Sequence, residues 1–450
     1  MNNISKTSLN AKTQPQLKGS WNYCRDFASI LCSRESTYRG ALDITGLDLP
    51  LIVADLFRSF KKAMESAFEG LSGTTMVVIA PLLTTYVGRI QAEFILPKEM
   101  QKDVLHYLKF SMSELRDFKN FETAINRIKI EETEDKHFIS SLYSRTGKED
   151  LAEKYKMQAK EIEDFYDNFV ATEEKQKLIY KLKKATIIGE SLIEGCYWGS
   201  FGLIMRLFRK YVLGENRFTG TMNYASEEES SNLGESKELT IFQKAVGVGS
   251  IFISPVLNSY LLTKVEDKEA VQKSKFLQIV QNQFDMTHGI YPKLGLLFSM
   301  TSLPKWISAI VTSQGWYERT ERILKLLTVI PSWWLGHRIT NGTFALNADK
   351  ELSGKFNVQP GILVEPEYLS QTKNGTESYF ERIQKSFPEP AKIHHVIKST
   401  EGNEKLQNEA EDAHAKCLYK GFAAHSLMVW IINMGVNYVT KLRIKHALEN

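Results

Sequence analysis

Residues 70–88 read GLSGTTMVVIAPLLTTYVG, nineteen positions without a charge between Glu69 and Arg89. The hydrocarbon layer of a bilayer is ~30 Å thick and a helix rises ~1.5 Å per residue, so about 20 helical residues are needed to span it. Two further runs have that length: 245–263, between Lys244 and Lys264, and 421–440, between Lys420 and Lys441. None is purely apolar. The first holds Thr74, Thr75, Thr84 and Thr85, the second Ser250, Ser254 and Asn258, the third His425, Asn433 and Asn437. Membrane bundles pack through small and polar side chains of this kind. A soluble bundle can bury such a helix on all sides as well. Three runs of spanning length with charged ends favour the membrane.

Shifting the chain by 174 positions lays the first run on the second. Ile79, Pro81, Leu83 and Tyr86 then meet Ile253, Pro255, Leu257 and Tyr260, and Thr45-Gly46 meets Thr219-Gly220. Twelve identities fall in the 70 positions 21–90. About four are expected by chance from ordinary residue frequencies. A shift of 352 brings in the third run more weakly, with Tyr86 on Tyr438 and Pro81 on Asn433. The expected unit is a helix, a Thr-Gly turn and a second helix kinked at its proline, which lacks an N–H and clashes with the preceding turn. Pro81, Pro255 and Asn433 are therefore the candidate kink or cavity positions. Freed carbonyls at such kinks can line a polar path. Tyr86, Tyr260 and Tyr438 near the run ends, with Trp333 and Trp334 beside His337, are candidate membrane–water anchors.

The rest of the chain is organised around these runs. Residues 1–20 are polar, show no secretory signal and read as a disordered lead-in. A first helical repeat covers 21–112. A charged amphipathic helical hairpin covers 113–184, with one helix over 113–127 and another over 148–184. A second repeat covers 185–340, with shorter apolar stretches at 294–317 and 326–336. Within it, 191–213 reads as one apolar helix with Glu190 and Glu194 at its N-terminal end, the favourable sense for the helix dipole. The first stretch, with Lys305 directly after Pro304, suggests a kinked or re-entrant hairpin. The acidic, serine-rich segment 222–238 reads as an exposed loop. A proline-rich, loop-rich insertion covers 341–410, with a short strand expected at 361–364, and a C-terminal helix covers 411–450. No segment alternates as a large sheet requires. The fold class is mainly α, a membrane-embedded bundle of two or three divergent repeats.

Composition limits the function classes. Lys and Arg number 57 against 53 Asp and Glu, a net charge of +4, so no nucleic-acid partner is indicated. The four cysteines form no CxxC and read as reduced. There is no phosphate loop, dinucleotide fingerprint or nucleophile elbow. Glu134 and His137 make a single Glu-x-x-His, where a di-iron site needs two. His414 and Cys417 are two ligands, where zinc takes three or four. No catalytic residue, cofactor or metal is assigned. Mitochondrial carriers also repeat in threes, but neither proline here begins their Pro-x-Asp/Glu-x-x-Lys/Arg motif and this period is far longer.

The expected protein is non-enzymatic, integral to a membrane, and structural or pore- or transport-like, with the bilayer as its partner. A protein partner or a homo-oligomer is compatible with it. The alternative is a soluble or peripheral, otherwise cytoplasmic, interaction scaffold. A third reading is a membrane-associated enzyme built on His394, His395, Glu411 and His414.

Overall fold

The computed structural model describes residues 24–29 except 26, 40–221 except 146, 224–226, 228–229, 233, 239–277 except 276, 303–364, 369, 387 and 390–449. The chain is mainly helical, and the described residues contain no strand. A π-helical stretch, Ile44–Asp48, leads into α1, Leu49–Leu56. Extended backbone at Ser59 breaks the chain there, and its hydroxyl accepts from the Lys62 N–H to cap α2, Phe60–Ile95. Two helices, α3 (Phe118–Arg145) and α4 (Glu149–Asp167), form a hairpin. Its turn needs the left-handed backbone that Gly147 adopts at φ 75°. Thr172 caps α5, Glu173–Gly199, and α6 follows at Phe201–Tyr211. A Thr240–Gln243 capping box opens α7, Ile241–Gly249. A 3₁₀ turn, Ser250–Phe252, leads to α8, Ile253–Glu266. The remaining long elements are α9 (Leu303–Val311), α10 (Trp316–Phe356), α11 (Ile393–Ser399) and α12 (Glu404–Glu449).

The long helices share two ends. At one end charged residues of α2, α6 and α10 meet. At the other the α3–α4 hairpin packs. Helices α2, α7–α8 and α10 run from the charged end to the hairpin end, and α5–α6 and α12 run back. The tie points fix this sense. Arg209 on α6 meets Glu65 near the start of α2, whereas Ala92 and Leu96 at the end of α2 share a core with Ile179 and Leu182 of α5. Glu266 closing α8 pairs with Lys184 at 2.7 Å. Asn437 of α12 meets Arg58, while Leu406 at its other end packs with Leu352 of α10.

The hairpin end is built as a water-soluble domain is. Phe121, Ala124, Ile125 and Ile128 form one face of α3 and are buried against Ile162 and Tyr166 of α4. Burying each large side chain contributes ~1.5–3 kcal/mol. His106 stacks on Phe165 with ring centroids 4.1 Å apart. Burial holds this imidazole below its ordinary value of 6.5. Below that pH the unfolded segment binds a proton that the folded one resists, so local stability is full above ~6.5 and falls as pH drops through the folded value. Hydrogen exchange of 104–107 and 165–169, corrected for intrinsic rates, is expected to speed up from pH 7.5 to pH 5. His106→Gln is expected to abolish that difference, and an equal response in the variant would refute the assignment.

Several expectations change. The hairpin helices are 118–145 and 149–167, and α5 begins at Glu173, so 148–184 is two helices. Glu190 and Glu194 therefore lie mid-helix in α5, and Ser200 breaks the expected 191–213 helix into α5 and α6. Thr45-Gly46 is no turn. It lies in the π-helical stretch, where a Cβ on Gly46 would strike the His425 ring, so the glycine serves close packing. Helix α2 continues through Pro81. Pro255 sits in the first turn of α8, where its missing N–H costs little, and the break falls earlier, at the 3₁₀ turn. Pro304 likewise opens α9, while 278–302 lie outside the described residues. Residues 341–356 are helix, the end of α10, where Asn357 caps in the left-handed region at φ 52°. Residues 361–364 form no strand: the N–H groups of Gly361, Ile362 and Leu363 donate to the Asp349 carboxylate at 2.6–2.9 Å, which curls the segment around one side chain. The lead-in 1–20 and most of 222–238 lie outside the described residues.

Candidate functional site

Helix periodicity places Lys62, Glu65 and Glu69 on one face of α2, and Glu318, Glu321, Arg322 and Lys325 on one face of α10. These faces meet each other and Arg209 of α6. Arg209 holds Glu65 through Nε and Nη2 at 2.9 and 2.6 Å, Glu318 at 2.5 Å and the Gln314 side chain at 3.0 Å. Arg58 holds Glu321 at 2.8 Å, the Asn437 carbonyl oxygen at 2.9 Å and the Gly220 carbonyl at 2.7 Å. The Asn437 amide in turn donates to Asp55 at 2.9 Å. Thr219 donates to Glu65, and Lys305 of α9 pairs with Glu69 at 3.1 Å. Asp55, Glu65, Arg209, Glu318 and Glu321 are 2% exposed or less. Signs alternate through the network, which is how buried charge is tolerated.

Nearer the middle of the bundle the polar groups are sparser and less completely paired. Thr74 donates to Asp48 at 2.5 Å. On α5, Glu190 accepts from Thr84 of α2, and Asn258 of α8 donates to Ser191 at 2.8 Å. Glu190 and Glu194 are 1% and 3% exposed, and Oε2 of each accepts no hydrogen bond. Along the α10–α12 seam, Asn341 and His337 Nδ1 are 2.9 Å apart, and the His337 and His425 ring centroids are 5.9 Å apart. Asn433 is fully buried there with neither amide atom hydrogen-bonded.

Close packing surrounds this column. A Cβ on Gly195 would lie 2.5 Å from the Ile251 carbonyl oxygen, and one on Gly199 2.5 Å from the Ile251 nitrogen. With Ser191 these glycines make a stripe of small residues every four positions, the spacing that lets membrane helices touch backbone to backbone.

The sequence-based positions scatter. Pro255 and Tyr260 line a shallow outward groove with Ile188, Leu192 and Val256, and the Pro255 ring also packs against Gly195 of α5. Asn433 is not among the groove's lining residues. Pro81 lies in α2 and Trp333 and Trp334 in α10, but their side chains are outside the described set. Tyr86, Tyr260 and Tyr438 are all exposed. The residues of the enzyme reading are tied to structural partners: His414 to the Ala391 carbonyl at 3.0 Å, His395 to the Gly361 carbonyl at 2.9 Å and Glu411 to Arg145 at 3.2 Å. Among the described residues no group of three or more His, Cys, Asp or Glu side chains could hold a metal.

Sequence reasoning missed the charged network and the Glu190–Glu194 pair. A search for uncharged runs treats a charge as a boundary. The useful signal was an acid pair four residues apart beside a Ser-x-x-x-Gly-x-x-x-Gly stripe. No protein-family model, no curated protein and no solved structure matches the chain.

Proposed function

We propose that this is an integral membrane protein, a helical bundle of structural or pore- and transport-like role without enzymatic activity. The observation that carries the reading is its inside-out polarity. Between the charged end and the hairpin end lies a band of about 20 residues per helix, close to the ~30 Å hydrocarbon thickness. Large apolar side chains point outward in that band: Leu82 is 69% exposed, Val256 and Leu327 65%, Leu427 and Ile431 55%. A soluble monomer rarely exposes so extended an apolar surface. Inside lie Asp48, Glu190, Glu194, His425 and Asn433. Ionisable groups within a membrane bundle face its interior and mark functional paths.

Two described helical segments, Ile241–Glu266 and Glu404–Glu449, are long and apolar enough to cross a membrane. A buried core helix passes the same length test, but only 33% of either apolar window is buried. The 174-residue correspondence fits a duplicated unit, because α2 and α7–α8 run in the same direction. Helix α12 runs the other way, so a third copy would have to be inverted.

Expressed full-length protein should remain in the membrane pellet after an alkaline carbonate wash and leave it only with detergent. Release as a monodisperse soluble species would discard the membrane reading and return the apolar runs to the role of a protein core.

A further inference from the structure

We propose that Glu190 and Glu194 form a proton-binding site at the centre of the bundle, the two carboxyl groups sharing at least one proton at neutral pH. The inference deepens the membrane reading and rests on it, since it takes α5 to cross the bilayer. Four residues apart, the two side chains lie on one helix face with Cβ atoms ~5–6 Å from each other. Trp198 continues the face one turn further. It is 3% exposed, and its indole N–H has no acceptor. Three successive turns of one helix thus present unpartnered polar atoms to the interior: Oε2 of Glu190, Oε2 of Glu194 and Nε1 of Trp198. Buried polar groups are ordinarily satisfied. A donor and two acceptors in file point to protons and water that complete them.

The compensating charge is distant: Lys183, two turns back along α5, acts on Glu190 through space. From α2, Thr84 donates its hydroxyl to Glu190. From α8, Asn258 donates to Ser191 and Ser254 packs against Gly195, the residues that follow the two glutamates. On α5 itself, Lys183 lies two turns from Glu190 and donates to the Leu108 carbonyl. From α9, Lys305 pairs with Glu69 and covers the Trp198 ring at 5.5 Å. No described Lys, Arg or His forms a salt bridge with either glutamate. Two buried anions one turn apart with no salt-bridged cation among the described residues are not a stable state, whereas a carboxylic acid donating to a carboxylate satisfies both. The charged network is the contrast, because every carboxylate there meets a cation.

The test uses full-length protein purified in detergent, read by infrared spectroscopy in H₂O and D₂O. The wild type is expected to show a carboxylic-acid C=O band at neutral pH. Glu190→Gln and Glu194→Gln should each shift that band, and the double variant should lose it. Glu153→Gln, on the exposed face of α4, should leave it unchanged. A neutral-pH spectrum with no acid band overturns the proposal from the wild type alone, whether or not the variants fold. A band that survives the double substitution overturns it as well. The membrane reading fails separately: a protein recovered in the carbonate supernatant that still carries the band retains the proton site and loses the membrane.

Discussion

Replacing Arg209 by methionine is expected to destabilise the bundle by about 3–5 kcal/mol, the usual cost of removing one partner from a buried ion pair. Arg209 is 1% exposed and holds two carboxylates, Glu65 and Glu318, with three charge-assisted contacts of 2.9 Å or less. Methionine fills much of the volume, so the loss is electrostatic: Glu65 and Glu318 remain buried as neighbouring anions with Arg322 shared between them. The partner change Glu65→Gln should cost less alone, and adding it to Arg209→Met should recover part of the loss, because it leaves Arg322 a single carboxylate, Glu318, to neutralise. The thiol of Cys417 gives a readout, since it is buried and unoxidised, whereas Cys24 and Cys196 are exposed. Its reaction with a fluorogenic maleimide on heating reports unfolding. A variant that unfolds within 1 kcal/mol of wild type would show that the network contributes no net stability.

Gly199→Leu is expected to be nearly as damaging, about 3 kcal/mol or more, for a steric reason. Even a Cβ would sit 2.5–2.6 Å from the backbone of Ser250 and Ile251. Backbone on both sides cannot rotate away, so α5 and the 3₁₀ turn must separate, and the fit around Ser254 and Asn258 goes with them. The informative control is Gly354→Ala on α10, where a new Cβ meets nothing within 4 Å. That change should stabilise by about 0.5–1 kcal/mol through helix propensity. Equal thermal shifts for the two substitutions would remove the close-packing argument.

What could be read in the sequence was whatever repeats along one helix. The helical character of 70–88, 245–263 and 421–440 followed from apolar runs of constant length, and that of 148–184 from its amphipathic spacing, though the break between α4 and α5 did not show in it. What could not be read depends on contacts between distant segments. Lys62, Glu65, Glu318 and Glu321 look like ordinary solvated charges with i,i+3 and i,i+4 neighbours, because the partners that bury them, across the bundle, lie more than 100 residues away. Gly46 and Gly220 looked alike as Thr-Gly turns. One packs on His425 inside a helix, and the other offers its carbonyl to Arg58. Asp349 shows the same limit: nothing local reveals that its carboxylate gathers three N–H groups from 361–363.

Helices α10 and α12 have 41 and 46 residues. At ~1.5 Å per residue each is more than 60 Å long, about twice the thickness of a bilayer core. Both run from the ionic network, through Glu321 and Asn437, to the cluster where Leu352 and Leu406 pack with Phe138 and Leu142 of the hairpin, and α10 has one internal proline, Pro331, on the way. A force that tilts the hairpin domain is carried to the far face along two continuous helices with no loop between, α10 bending most readily at Pro331. A load on the hairpin is therefore felt at the salt bridges of the opposite end, although the two lie a full helix length apart.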